Sequence, residues 1–401
     1  MHDNTVRTAA GDRTTCVPIQ HRGRWTSVAA LGTGAFAIGT GMFVVAGVLG
    51  GLAGDLGVTV GAAGLTVTVF GLAYATGAAL LSVLLGGRPL RQVLIGSLVL
   101  FGLFNVMSAV APTLPVLLAA RMLSALAASV YVPAAGAAAV AAVPTSHRGR
   151  ALGVILSGSS IAMVLGAPLG VLLAGMFSWR AAFGLVAVLA AVTVLGLLLS
   201  SAGFGPLPCS TVRERLRPMR SPTVVGALGV TFFVMTASNS MYTHLGTVLN
   251  TAAGPIELGL FIGVFGLGGM VGTWWGGTAA DRRGSRRGVQ LAVTALTVSF
   301  AVLPLVAATA AGALTVVLGW GIAVWGFVPV QQHRLIGLGS GPAPLLLALN
   351  SSAIHFGFAA GALLGGFVVD AAGVSTLFML AVACCGAGLI LHGIITREVE
   401  S

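Results

Sequence analysis

Apolar residues dominate this chain in long runs that polar residues interrupt only briefly. Taking a membrane span as about 20 mostly apolar residues, twelve runs qualify, at approximately 25–50, 59–85, 92–111, 115–143, 151–177, 181–203, 223–249, 258–279, 289–309, 313–333, 345–369 and 373–395. The longest polar interruption, 204–222, carries Arg213, Arg215, Arg217 and Arg220 and follows the sixth run. The pattern predicts an all-α polytopic membrane protein of two pseudo-symmetric six-helix bundles. Its parts would be a tail at 1–24, a first bundle at 25–203, a linker at 204–222 and a second bundle at 223–396. The halves echo each other: Gly166, Gly170 and Gly175 have the spacing of Gly357, Gly361 and Gly366, and both sets follow a Ser-Ser pair (Ser159-Ser160, Ser351-Ser352). Small residues at such spacing let helices approach closely, and corresponding motifs in two halves are what a duplicated transporter would show.

Composition sharpens this picture. Hydrophobic residues make up 57 % and charged residues 7 %, against about 25 % charged in a soluble domain. The net charge is 20 − 9 = +11, and all twenty basic residues are arginine, scattered through short loops. Without a basic patch, nucleic acid is not an expected partner. An even number of spans puts both termini on one side; eighteen arginines fall there, with Arg180 on the other side and Arg121 within a span. The positive-inside rule then predicts cytoplasmic termini and a multi-pass protein of the cytoplasmic (inner) membrane. Residues 1–24 are polar and the first run is too long for a signal peptide, so it reads as a retained span. Cys16, Cys209, Cys384 and Cys385 have neither zinc nor disulfide spacing and are expected to be structural. No metal cluster, nucleophile elbow or phosphate loop occurs in a plausible context; no metal, no cofactor and no enzymatic activity are expected.

Arg121 is the one charge inside the fourth run. A lone arginine at membrane depth costs several kcal/mol unless it faces a polar cavity or a partner, which makes it a functional candidate. It also lies only about 9–10 Å from Pro115 along a helix, so snorkelling to the headgroups is the competing reading.

Three segments here carry a resemblance: Leu117-Leu-Ala-Ala-Arg121-Met-Leu-Ser-Ala125, the pattern Gly158…Gly166-Ala-Pro168-Leu-Gly170, and Trp179-Arg-Ala-Ala-Phe183. Together they resemble the fourth helix, the antiporter-motif fifth helix and the following outer loop of drug:proton antiporters in the major facilitator superfamily. Gly277-Thr-Ala-Ala-Asp281-Arg282-Arg283-Gly284-Ser-Arg286-Arg287 resembles that superfamily's signature loop. A carboxylate there can complement a helix N-terminus while the arginines meet lipid phosphate, so Asp281 is expected to act as a latch against the fifth helix. The matching first-half loop, Gly86-Gly87-Arg88-Pro-Leu-Arg91, has no acidic residue.

Gly39-Thr-Gly-Met42-Phe43-Val-Val-Ala-Gly47 is similar to the first helix of antibiotic and sugar exporters of the same superfamily, which often carry an acidic residue where Met42 stands. The nine carboxylates are all placed outside the membrane interior: Asp3, Asp12, Glu214, Asp281, Glu398 and Glu400 on the terminal side, Asp55, Glu257 and Asp370 at the other ends. A proton route would then fall to His355 or His244, for which helix packing is the plainer reading; Asp55 and Asp370 at the outer mouth are weaker candidates, since a solvated carboxylate ending a span needs no special role. Trp320, Trp325, Phe327, Tyr242 and Phe265 offer aromatic faces to a drug-sized ligand, with Asn239 and Asn350 as polar anchors; packing or lipid contact is an equal reading for any single aromatic. The resemblance implies a monomeric exporter of an amphipathic small molecule, antibiotic-like or a sugar, working by alternating access against protons. A proton-independent facilitator is the alternative. A non-transporting membrane sensor would call for a large soluble domain, which no connection is long enough to hold.

Overall fold

Twelve helices long and apolar enough to span a bilayer follow one another in the computed structural model, which describes residues 22–144, 147–200, 213, 217–249, 255–307, 309–338 and 342–400. No strand occurs among the described residues. In chain order the helices are α1 (Arg22–Phe43), α2 (Val45–Leu56), α3 (Val60–Leu84), α4 (Leu90–Ala109), α5 (Leu114–Ala142), α6 (Arg148–Ile161), α7 (Ala167–Met176) and α8 (Trp179–Leu199). After the linker come α9 (Pro222–Thr243), α10 (Leu245–Val248), α11 (Pro255–Arg283), α12 (Ser285–Val306), α13 (Ala310–Leu338), α14 (Ala343–Ala372) and α15 (Leu377–Glu400). A π-helical turn, Ala162–Gly166, joins α6 to α7 as one span. The face holding the start of α1 and the end of α15 is called terminal, the other distal.

Leu72, Leu103, Val188, Val192, Leu195, Leu305, Phe367 and Met379 are exposed on the outer surface. A soluble monomer does not carry a contiguous apolar belt of this kind, and lipid is the solvent that satisfies it. Inside, one core belongs to the first half, and that of the second half extends across to Phe43, Ala46 and Met163. Leu31, Phe70, Phe101 and Tyr131 pack in the first half, where the Tyr131 hydroxyl donates to the Leu31 carbonyl at 3.0 Å. Phe300, Trp320 and Phe327 pack in the second.

Two local features depart from a simple run of helices. The first span ends at Phe43, short of the expected end at 50, and the chain goes on as the short helix α2 to Leu56 because it turns at Val44 without stopping: the Gly47 N–H bonds the Val44 carbonyl at 3.1 Å. Gly57, at φ +63°, ends the helix in the left-handed conformation that glycine adopts freely. In the fifth span Pro168 has no N–H for the Val164 carbonyl, and the turn before it widens so that the Ala167 N–H reaches back to Ala162.

That fifth span has two working faces. On one, Gly158 lies against the Gly32 carbonyl, Gly166 against Thr40 and Gly170 against Val44, so closely that a methyl group would collide at each. On the other, Met163, Val164 and Pro168 meet Gly259, Gly263 and Gly266 of α11 in the second half. Gly357 and Gly361 of α14 meet α9 in the same manner, against Met235 and Thr236, while Gly366 turns to Gly61 of α3 across the interface. Lipid tails are as apolar as leucine, so helix association here rests on this close backbone packing.

Polar groups fasten the ends. Arg91 donates to the carbonyls of Leu197, Leu198 and Ser200 (3.3, 3.0 and 3.3 Å), closing the C-terminus of α8. At the distal face the exposed Asp55 accepts from Trp179 Nε1 at 2.9 Å and pairs with Arg180, tying α2 to α8. The hydrogen bond from Arg180, then that from Trp179, hold the Asp55 carboxyl below its ordinary range.

Gly166→Leu is expected to destabilise the fold by about 1–3 kcal/mol through overpacking against Thr40, whereas Gly184→Ala, which faces open space in α8, should be neutral or slightly stabilising; thermal melts of the purified variants check the pair. A depressed carboxylate contributes stability above its unfolded pKa of about 3.9 and loses it as pH falls through the lower folded value. Wild type should therefore lose melting temperature below about pH 4 more steeply than Asp55→Asn, read from melts at stepped pH.

Candidate functional site

Arg121 settles the question of where its side chain goes. The side chain is fully buried, and its guanidinium carbon lies 4.2 Å from the Phe70 ring centre and 5.5 Å from that of Phe183. It does not snorkel. Nε and Nη1 are buried with no hydrogen-bond partner among the described residues. The group borders a chamber of about 20 Å³ walled by Met42, Phe43, Ala46, Val67, Phe70 and Gly71 from the first half and by Asn239, Tyr242, Thr243 and Phe358 from the second. A chamber of that size holds about one water.

The walls are shaped by polar contacts across the interface. Because Gly47 bonds Val44, the Phe43 carbonyl is left free of the helix, and the Tyr242 hydroxyl donates to it at 3.2 Å. The Phe43 ring meets the edges of Tyr242 and Trp325, each with centres 6.0 Å apart. Asn239 Nδ2 donates to the Phe358 carbonyl at 2.7 Å and to Thr243 Oγ1 at 3.2 Å, which fixes the amide at the chamber wall. Beyond the wall lies a distal vestibule of about 430 Å³ between α2, α7, α9, α10 and α11. Chamber and vestibule share Ala46 and Thr243, so those two residues are the partition between them.

The expected site residues divide clearly. Arg121, Asn239 and Tyr242 meet at the chamber, and His244 lines the vestibule beside it. His355 lies one turn of α14 from Phe358, its ring stacked on Tyr74 of α3 at 3.9 Å and its Nδ1–H donating to the Ser351 carbonyl at 2.8 Å. Trp325 spans the two halves through Phe43. Trp320 and Asn350 do not reach the chamber. Trp320 is fully buried in the second half and donates to Ser238 Oγ at 2.9 Å; Asn350 accepts from Thr231 at 2.8 Å. Gly158, Gly166 and Gly170 bind the fifth span to the first, and Pro168 touches α11. At the terminal face Gly284 adopts φ +79°, Arg287 is exposed and Arg286 lies near His392. The side chains of Gly277, Asp281 and Arg282, and with them the expected latch, lie outside the described residues.

A latch of the same chemistry does occur at the distal end. Asp370 of α14 accepts from Thr59 Oγ1 at 2.7 Å and from the Gly61 N–H at 3.2 Å, while Thr59 itself caps α3 through the Ala62 N–H at 3.1 Å. A carboxylate from one half thus caps the first turn of a helix from the other, where the helix dipole favours negative charge. Sequence reasoning placed Asp370 at a span end as a weaker proton candidate and missed its bridge to α3; the Thr59-Val-Gly61 cap facing it was the available signal. Phe70, Val67, Phe358 and Tyr74 were also missed, since apolar residues of this kind fill every span.

The sequence pattern of the Major Facilitator Superfamily matches residues 30–337. The chain belongs to the major facilitator superfamily. It is 31 % identical over 329 residues to the inner membrane transport protein YdhP of Escherichia coli K12, covering 80 % of this chain and 83 % of that one. It is 29 % identical over 322 residues to a chloramphenicol efflux pump of Mycobacterium tuberculosis, covering 77 % of each. A solved structure of the nucleoside transporter NupG superposes with a TM-score of 0.74 over 94 % of this chain and 99 % of that one, at 11 % identity, which is a likeness of fold. As a major facilitator protein, the chain is a multi-pass membrane transporter, and the chamber lies between its halves where such folds carry their sites.

Asp370→Ala is expected to loosen the distal seam between α3 and α14. Loss of one charge-assisted bond pair should shift the open-to-closed ratio by about tenfold. Spin-label distance distributions across the distal ends of the two helices would broaden to longer values; identical distributions would show that glycine packing alone holds the seam.

Proposed function

We propose that this protein exports an amphipathic small molecule, antibiotic-like or a sugar, by alternating access through the Arg121 chamber. The observation that carries the reading is a buried, unpaired guanidinium at a chamber walled by both halves, because relative motion of the halves must then change its surroundings. Similarity to a pump named for chloramphenicol efflux supports the direction and the substrate class. Arginines gather on the terminal side, eighteen against Arg180 alone, which supports cytoplasmic termini in the inner membrane. Exit then runs past Ala46 and Thr243 into the distal vestibule. The protein acts as a monomer and as a transporter, with no catalytic step.

Coupling is by proton antiport in this reading. No carboxylate lines the chamber, so the proton route falls to His355, whose Nδ1–H is committed to Ser351 and whose Nε2 is left to accept. The same lack of a carboxylate favours a second reading, a facilitator that needs no protons.

Cells carrying the protein should accumulate less of at least one member of a panel of antibiotics and sugars than cells without it. Arg121→Ala should raise accumulation toward the level of cells lacking the protein, with uptake into inverted vesicles falling by about tenfold or more. A protonophore that abolishes vesicle uptake supports antiport; uptake indifferent to it supports the facilitator; no change in accumulation for any panel member overturns export.

A further inference from the structure

Burial leaves Arg121 with an unbalanced charge. Its two aromatic neighbours attract it by cation–π contact. That attraction is smaller than the cost of removing a guanidinium from water and leaving it without a counter-charge. The rings therefore orient the group without replacing a counter-charge. No acidic side chain replaces it either: the chamber walls hold Asn239, Tyr242 and Thr243 as their other polar side chains. Of the distal carboxylates, Asp55 is engaged by Arg180 and Trp179, and Asp370 by Thr59 and Gly61. Asn239 spends both amide hydrogens on Phe358 and Thr243, and the Tyr242 hydroxyl hydrogen goes to Phe43. What the chamber offers a guest is thus a buried positive charge at its wall, with Nε and Nη1 left without a hydrogen-bond partner, set between aromatic and aliphatic side chains.

We propose that this chamber is an anion-binding site, and that the guest supplies the charge the protein lacks. The group recognised is a small carboxylate-like or halide anion, which takes up Nε–H and Nη1–H as a guanidinium takes up an acceptor in a buried pair. It arrives either as part of the transported solute, whose apolar remainder rests on Phe70, Phe358 and Met42, or as an inorganic anion that accompanies it. At about 20 Å³ the chamber admits only a small group in this conformation, and movement of the halves that wall it enlarges it for a larger solute. The proposal deepens the transport reading by naming a substrate chemistry, and it rests on that reading for the solute itself but not for anion binding.

The test uses the full-length protein in lipid nanodiscs with matched probes: benzoate against the isosteric neutral benzamide, and chloride against gluconate as background anion. Benzoate should bind and raise the melting temperature while benzamide does neither, and Arg121→Gln should weaken benzoate binding by about tenfold or more. Met42→Asp sets a carboxylate in the chamber wall and should likewise abolish the response, through an internal partner, so the result does not hang on one variant that fails to fold. Arg121→Lys, keeping the charge, should restore part of it. If chloride displaces benzoate, or alone gives the Arg121-dependent stabilisation, the anion is inorganic; if only benzoate does, it belongs to the solute. Equal binding of benzoate and benzamide, or benzoate binding unchanged in both Arg121→Gln and Met42→Asp, overturns the proposal. Export of panel members with no Arg121-dependent binding of benzoate or chloride would sink it while leaving export standing, and Arg121-dependent anion binding without transport would do the reverse.

Discussion

A buried guanidinium with no carboxylate beside it among the described residues is the constraint that the rest of this molecule is arranged around. An arginine at membrane depth is tolerated only where something else lowers its energy. Here the helix that carries it turns it inward, onto Phe70 and Phe183 and the chamber wall. Those rings belong to α3 and α8, so the charge is framed by the first half, while Asn239, Tyr242, Thr243 and Phe358 close it from the second. The environment of the charge is therefore a property of how the halves sit together. Any motion between them changes the free energy of this one group, and any partner for this group biases the motion. That is the physical content of coupling between a ligand and a conformational change.

Glycines set the packing both within and between the halves. Within a half, glycines put backbones in contact, as Gly158, Gly166 and Gly170 do against the first span and Gly357 and Gly361 do against α9. Such close-packed pairs move as units. Between the halves glycines also bring backbones together, as Gly61 with Gly366 and Gly266 with Met163, and exchangeable hydrogen bonds add to them: Asp370 to the cap of α3, Tyr242 to the carbonyl freed at Phe43, Ser352 to the Ala75 carbonyl at 3.3 Å. Bonds of this kind contribute about 1 kcal/mol each, enough to favour one arrangement without locking it.

Much of the fold was legible in the sequence, because a bilayer asks for one property, sustained apolarity over a fixed length, that hydropathy reads directly. The Gly-rich fifth and eleventh spans were legible as close-packing helices for the same reason of chemistry. The site was legible where a residue was out of place in its surroundings: Arg121 and Asn239 are polar groups inside apolar runs, and both reach the chamber. It was not legible where the residue was ordinary. Phe70 and Phe358 differ in nothing from the other phenylalanines of the chain until the fold brings them beside the guanidinium. Trp320 and Asn350 mislead for the converse reason, since a buried tryptophan or asparagine bonded within its own half, as these are to Ser238 and Thr231, is as unusual in sequence as one that serves a ligand. Asp370 was ranked low because the end of a span is where a carboxylate is expected in any case, and only the facing α3 cap turns it into a bridge.

The lack of an acidic residue beside Arg121, which at first reads as a missing half of a proton-coupled machine, takes on a different meaning with an anion in the chamber. Moving one elementary charge across 100 mV is worth about 2.3 kcal/mol, or about a fifty-fold concentration ratio. In a cell whose interior is negative, an anion leaving through this chamber is driven outward by that potential with no proton in exchange. The guanidinium then has two tasks that need no titrating partner. It lowers the barrier that the apolar interior sets against a bare anion, and it remains positive after release, ready to attract the next one. A carboxylate at Met42 would defeat both by filling the pair permanently. On these terms Met42 and the solitary arginine of α5 fit the facilitator reading, in which the histidines near the seam serve packing alone.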